Sequence, residues 1–290
     1  MVDSVTAVAP AKINLCLGVG PRRPDGFHSL ATVYQAVDLH DTVTVAAARS
    51  GSTSVRVHGT AARYVPTGPS NIVVRAAELL RSGRDLQPVQ ITIDKQIPVA
   101  GGLAGGSADA AATLVACDAW WRLGMPHEEL LGLAGRLGSD VPFALLGGTA
   151  IGTGHGELVT PVETGGEFWW VLRTFEEGLS TPAVYAEFDR LQDEVAEPSV
   201  PEALLKALRE GDAAALGDAL SNDLHAATFS LRPSLREALD EEGVLGALVS
   251  GSGPTVLFLC ASREHAGRVA GRRTGGLLAR GPVAGATVVG

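Results

Sequence analysis

The sequence predicts an α+β fold in two halves, β-rich at first and mixed α/β after. Three observations carry this expectation. Alternating, β-branched runs crowd the first hundred residues. A glycine-rich stretch, Pro98-Val-Ala-Gly-Gly-Leu-Ala-Gly-Gly-Ser-Ala-Asp109, then runs straight into an alanine-rich helix. Beyond it, helical periodicities and short apolar strands are interspersed, which suits helices packed on sheets rather than a wound parallel sheet.

In order, strands are expected at 5–9, 13–19, 30–37 and 42–47, broken by the turn Pro21-Arg-Arg-Pro-Asp-Gly26, and at 54–58 and 89–94. A helix over 71–80 places Ile72, Ala76, Leu79 and Leu80 on one face. Past the glycine loop, helices span 107–123, ended by Gly124, and 128–137, ended by Gly138, with Ser107 placed to cap the first. A short element at 140–145 leads to a strand at 149–152. In the second half, strands at 158–162 and 168–173 precede helices at 182–191, 202–209, 213–220 and 233–241. Strands at 247–249 and 256–260, a helix at 263–273 and a strand at 283–289 complete the reading, with the domain boundary between residues 1–155 and 156–290.

Of the 290 residues 46% are hydrophobic and 19% charged, enough apolar material for a sizeable core and no disordered tail. A net charge of −9 argues against nucleic acid or an anionic membrane as the main partner, although Lys12, Arg22 and Arg23 offer local attraction to a small anion. Cys16, Cys117 and Cys260 are too few and too scattered for a disulfide framework or zinc site, and are expected reduced and buried. With no basic-then-apolar leader and no membrane-length apolar run, the expectation is a cytoplasmic protein.

Four segments carry chemistry. The glycine loop can close tightly on a ligand and presents a helix N-terminus, whose N–H groups and dipole suit phosphate. It is neither a Walker A sequence nor Gly-x-Gly-x-x-Gly. In Pro10-Ala-Lys-Ile-Asn-Leu15, strand alternation puts Lys12 and Asn14 on one face and Ile13 and Leu15 on the other. In isolation Lys12 also reads as a surface lysine on an edge strand. In Gly138-Ser-Asp-Val-Pro-Phe143, Asp140 reads either as a helix cap or as a base positioned for a substrate hydroxyl. Ser250-Gly-Ser-Gly-Pro-Thr255 is a plain turn or a second backbone loop over the reacting groups.

Together these segments resemble the GHMP kinase superfamily of small-alcohol kinases, with 10–15 similar to its first motif, 98–108 to its second and 251–255 to its third. Arg23-Pro-Asp-Gly-Phe-His28 and 138–143 narrow the resemblance to a branch whose acceptor alcohol carries a cytidine diphosphate, in the methylerythritol phosphate route to isoprenoids. The resemblance implies a two-domain GHMP kinase fold around a central cleft, ATP as phosphoryl donor and Mg2+.

It also implies roles. Asp140 would be the base for the acceptor's 2-hydroxyl and Lys12 its ammonium partner. Pro98, Val99, Ala100, Gly101, Gly102, Leu103, Ala104, Gly105, Gly106, Ser107 and Ala108 would wrap the ATP phosphates, with Asn71 and Lys95 near the adenine and Ser107 a metal ligand. His28 would bond the cytosine, Phe27 and Tyr185 would stack on it, and Asn14 would contact the erythritol end. By periodicity alone, Tyr185 reads as a helix residue packing on the core. Phe27 stands where the family commonly has tyrosine, and Ala100 and Ala104 where it has glycine. The competing expectations are a homoserine- or mevalonate-type kinase and a non-catalytic nucleotide-binding regulator.

Overall fold

The chain opens with two long antiparallel strands, β1 (Ser4–Arg22) and β2 (His28–Ala47), joined through a turn at 23–27. The computed structural model describes residues 3–49, 51–59, 61–99, 101–175, 177–192, 194–272 and 275–289. Pro10 and the polar run near Asp41 suggest four strands, but the structure makes two. Pro10 sits where the register shifts against β2, and a bulge tolerates a residue without an N–H. A second shift falls between Asn14 and Cys16, so irregularities bracket Lys12 and Asn14. Such bulges re-aim side chains.

Next come β3 (Ser54–His58), helix α1 (Ile72–Arg81) and β4 (Val89–Asp94). Helices α2 (Gly105–Trp121), α3 (His127–Leu137) and α4 (Val141–Leu146) then precede β5 (Thr149–Thr153) and β6 (Leu158–Pro161). The remainder is β7 (Phe168–Arg173), α5 (Thr181–Leu191), α6 (Glu202–Glu210), α7 (Ala213–Ala219) and a short β8 (Ser221–Asn222). After these follow α8 (His225–Leu231), α9 (Ser234–Ala238), β9 (Gly246–Val249), β10 (Val256–Cys260), α10 (Arg263–Arg272), β11 (Gly276–Gly281) and β12 (Thr287–Val289).

The larger sheet runs β12-β1-β2-β4-β3, with β5 also paired to β2, β6 to β5, and β8 in parallel to β1. The smaller runs β11-β7-β10-β9. Because β8 and β12 come from the second half, that half completes the first sheet. Ile13, Leu15, Ile91, Ile93 and Leu114 are fully buried where the large sheet meets α1 and α2. Helix α2 is apolar on nearly every side and built largely of alanine, as expected of a helix sunk in a core. The two sheets are linked by Trp170, whose indole Nε1 donates to Gln35 Oε1 at 2.9 Å. All three cysteines are free and buried, and burial pushes the Cys16 and Cys260 thiols up to about 11.

Three expectations need correction. Ser107 does not cap α2. That helix starts at Gly105, because Ala104 takes a left-handed conformation (φ 55°) that ends the loop earlier, and no side chain caps it. The strand expected at 283–289 is β12 alone, preceded by β11 at 276–281, with Ala284 bridging singly to Gly147. The helix expected at 233–241 shrinks to α9, and α8 was not foreseen. Arg273, expected to end the helix at 263–273, lies outside the described residues, as does Ala100 of the glycine loop.

Candidate active site

A cleft of about 870 Å3 opens between the glycine loop, the middle of β1, the start of α4 and the inner side of α5. At its centre is Lys12. It is no surface lysine: Lys12 is 7% exposed, paired to β2 on one side and covered by the glycine loop on the other. Its ammonium donates to Asn14 Oδ1 at 2.8 Å, lies 4.9 Å from the centre of the Tyr34 ring, and faces the Asp140 carboxylate at 3.6 Å. The Asn14 amide is oriented from behind, donating from Nδ2 to Thr32 Oγ1 at 2.8 Å, while Thr32 donates to the Cys16 carbonyl. Asn14 Oδ1 is thereby turned to the lysine, and a cation held by oriented dipoles and a ring keeps its place with little rotamer freedom.

Asp140 stands immediately before α4 but makes no side-chain cap hydrogen bond, so its carboxylate is not spent on the helix. Pro142 in the first turn supplies the start signal instead. The Tyr34 and Tyr185 phenols are both pushed upward, first by burial and then by the nearby Asp140 charge. A carboxylate beside a buried ammonium, both facing a cleft, is an arrangement able to take a proton from a hydroxyl and offset negative charge beside it.

Along one wall run Pro98, Val99 and the described residues 101–106. Ser107 and Ala108 lie outside that wall. The first N–H bonded inside α2 is that of Ala108, to the Ala104 carbonyl, so earlier amides of the turn are presented without a capping side chain. The loop is gripped from two sides. The Lys12 main-chain N–H donates to the Leu103 carbonyl at 3.2 Å, and the turn 250–253 packs against Gly102. Gly102 has φ 74°, and a Cβ there would lie 2.7 Å from the Ser250 carbonyl oxygen and 3.1 Å from that of Gly253. Gly102→Ala is therefore expected to raise the KM for nucleotide at least tenfold, because two backbone segments must separate; a KM within twofold of the parent in steady-state assays would refute this. Asn222 anchors the facing turn, donating from Nδ2 to the Val249 and Gly251 carbonyls at 2.8 Å each.

Beneath the loop lies a buried charge cluster. The Lys95 ammonium contacts Asp41 and donates to Asp109 Oδ2 at 2.8 Å, while Asp41 Oδ1 accepts from the amides of Gln96 and Ile97 at 2.7 and 2.8 Å. One ammonium thus ties the entry of the glycine loop to the first turns of the helix that follows. Burial, reinforced by Asp41 and opposed by Lys95, holds the Asp109 carboxyl well above the usual carboxylate range. Lys95 lines the cleft, yet it is 4% exposed and its ammonium is engaged by two carboxylates. Asn71 also lines the cleft, with its Oδ1 accepting from Val73 N as the cap of α1.

A second part of the cleft is lined by rings. Val184 and Phe188 bury against Leu17, Val19 and Leu224, which seats α5 on β1. This leaves Tyr185 both packed on that cluster and facing the cleft, its ring centre 5.2 Å from that of His28. His28 is buried, Nδ1 on the Gly20 carbonyl at 2.9 Å and Nε2 facing Asp189 Oδ1 at 3.3 Å. Phe27 is 56% exposed and lies beside His155, with ring centres 5.1 Å apart. His155 Nδ1 contacts Ser139 Oγ at 2.6 Å, next to Asp140. Sequence reasoning missed Tyr34, Asp41, Asp109, His155 and Asp189. Asp109 sits inside the motif already quoted, whereas the others depend on strands and helices meeting in space.

The fold and site define the class, a GHMP kinase. Residues 71–148 match the model of the GHMP kinases N terminal domain and residues 204–275 that of the GHMP kinases C terminal. The chain is 53% identical to the 4-diphosphocytidyl-2-C-methyl-D-erythritol kinase of Nocardioides sp. strain JS614, over 97% of this chain and 98% of that one. It is 51% identical to the enzyme of the same name from Rhodococcus jostii RHA1, over 98% and 95%. A crystal structure of 4-(cytidine 5'-diphospho)-2C-methyl-D-erythritol kinase superposes with a TM-score of 0.77 at 34% identity, covering 95% of this chain and 99% of that one. The chain belongs to the 4-diphosphocytidyl-2-C-methyl-D-erythritol kinase family. A homoserine kinase from Cytophaga hutchinsonii shares the fold, with a TM-score of 0.76 at 19% identity over 100% and 98% of the two chains. Among the described residues, no helix is long and apolar enough to cross a membrane.

Proposed function

We propose that this protein transfers the γ-phosphoryl group of ATP to the 2-hydroxyl of 4-diphosphocytidyl-2-C-methyl-D-erythritol, giving the 2-phosphate and ADP, a step in isoprenoid precursor synthesis. The observation that carries this reading is the Lys12–Asp140 pair, 3.6 Å apart in a cleft walled by the glycine loop. In this mechanism the amides at the start of α2 receive the phosphates, where the helix dipole favours negative charge. Asp140 accepts the proton of the attacking hydroxyl. Lys12, held by Asn14 and Tyr34, keeps that hydroxyl in line and balances charge on the transferring group. Phosphoryl transfer draws mostly on positioning and electrostatics, which is what these fixed groups supply. The rings of Phe27, His28 and Tyr185 would receive the cytosine.

Magnesium would enter with the nucleotide. Among the described residues no three histidine, cysteine or carboxylate side chains gather to hold a metal, and Ser107 lies off the cleft wall. These residues form no cluster that would hold an ion by itself; magnesium commonly rests on substrate phosphates and water with few protein ligands.

The test is ADP release from Mg-ATP with the cytidine acceptor, homoserine, mevalonate or no acceptor. Release that depends on the cytidine acceptor alone is expected. Equal release with homoserine or mevalonate, or nucleotide binding with no acceptor-dependent release, would overturn the assignment.

A further inference from the structure

This inference rests on reading the glycine loop as the seat of the nucleotide phosphates. The turn at 250–253, which packs on Gly102, continues β9, the last strand of the smaller sheet. Backbone groups on the outer side of β9 face no further strand of that sheet, and Val249 is fully buried there. Such groups need partners from elsewhere. One short segment supplies them. The Val249 carbonyl accepts from Asn222 Nδ2 at 2.8 Å, and the Val249 N–H donates to Nε2 of His225, the first residue of α8, at 3.0 Å. A ring nitrogen that accepts carries no hydrogen, so His225 Nε2 is bare. Burial pushes this imidazole down to about 4, which keeps the ring neutral and its lone pair available in neutral solution.

The next residue carries this fixing into the site. The Ser250 N–H donates to the Thr255 carbonyl at 2.9 Å, and the chain turns back. The Ser250 hydroxyl stands between two segments of the cleft, 3.4 Å from the Asn14 nitrogen and 3.5 Å from the Gly102 carbonyl oxygen. A shift of Val249 therefore reaches the atoms that rest on the glycine loop within one residue. His225 itself lies outside the cleft lining. We infer that His225 is a positioning residue for the nucleotide loop, its bare Nε2 holding the Val249 N–H and so setting how turn 250–253 rests on Gly102. Asn222 cannot substitute for it. Its amide hydrogens go to carbonyls, whereas the Val249 N–H has a single hydrogen, which without His225 is an unmet buried donor.

The experiment compares the wild type with His225→Leu and His225→Gln. Both variants lose the ring that packs on Phe229, with centres 5.1 Å apart, but glutamine keeps an acceptor oxygen and leucine has none. ADP is titrated calorimetrically into each, and the KM for ATP and for the cytidine acceptor is measured beside a melting curve. His225→Leu should weaken ADP binding and raise the KM for ATP roughly five- to fiftyfold, the cost of an unmet buried donor felt at the loop. Its KM for the acceptor should stay within about threefold of the wild type. His225→Gln should restore both nucleotide constants, even where its melting temperature stays as low as that of the leucine variant. His225→Ala repeats the loss of the acceptor should His225→Leu fail to fold. Equal nucleotide constants in the glutamine and the leucine or alanine variants would assign the effect to ring packing and overturn the inference. An acceptor KM that rises in step with that for ATP would do the same. If the wild type turns over the cytidine acceptor and the expected pattern is absent, only this inference falls. If turnover is absent but ADP binding follows the pattern, the positioning role stands and the assigned reaction falls. A wild type that binds no ADP overturns both.

Discussion

Asp140→Asn lowers kcat by about 10²- to 10⁴-fold while leaving KM for ATP and for the acceptor within a few-fold, the expected signature of a removed general base. The substitution is nearly isosteric and makes no demand on α4, because the parent carboxylate caps nothing. What it removes is the proton acceptor, and with it the charge that faces Lys12 at 3.6 Å. Steady-state kinetics alongside a melting curve decides the matter. A variant that melts like the parent and turns over within tenfold of it would exclude Asp140 as the base. A kcat unchanged with a KM raised for the acceptor alone would make it a binding residue.

Lys95→Met destabilises the protein by about 3–5 kcal/mol, the usual consequence of removing one partner from a buried ion pair. Two carboxylates, Asp41 and Asp109, are then left facing one another out of solvent. They can share a proton at low pH and not at high pH, so the loss of melting temperature should be larger at pH 8.5 than at pH 6. Thermal unfolding of parent and variant at both values measures this. The loop also loses the tie between its two ends, so the KM for ATP should rise well beyond that of the acceptor. An unshifted melting temperature at both values would mean that the cluster carries no net stability.

The elements were legible wherever periodicity was unbroken. Helices α1 and α3 and strands β3 and β4 fall within a residue or so of expectation because their apolar faces repeat cleanly, and β7 and β10 do so because each is a short, continuous apolar run. Each long strand reads as two because a proline or a polar residue in a strand looks like an end, and only the partner strand reveals a bulge. Ser107 looks like a cap because a left-handed alanine is not a signal that sequence carries.

At the site, Lys12, Asn14 and Asp140 stand out as residues out of keeping with their surroundings or as parts of short motifs, whereas His28 and Tyr185 are pointed to by the family resemblance; all five line one cleft. Tyr34 was hidden because a tyrosine in an apolar strand is ordinary until a lysine from the neighbouring strand lies over its ring. Asp41 and Lys95 are 54 positions apart, and nothing local announces that two such residues will meet.

Residue 12 takes part twice: its main-chain amide holds the carbonyl of Leu103, and its side chain meets Asp140. Donor cradle and acceptor base are therefore measured from one common origin on β1. A thermal excursion of that strand carries both along, so their errors are correlated and largely cancel in the separation between them. Precision at the point of reaction then depends less on the stillness of the whole fold than on the stiffness of a few bonds around a single residue.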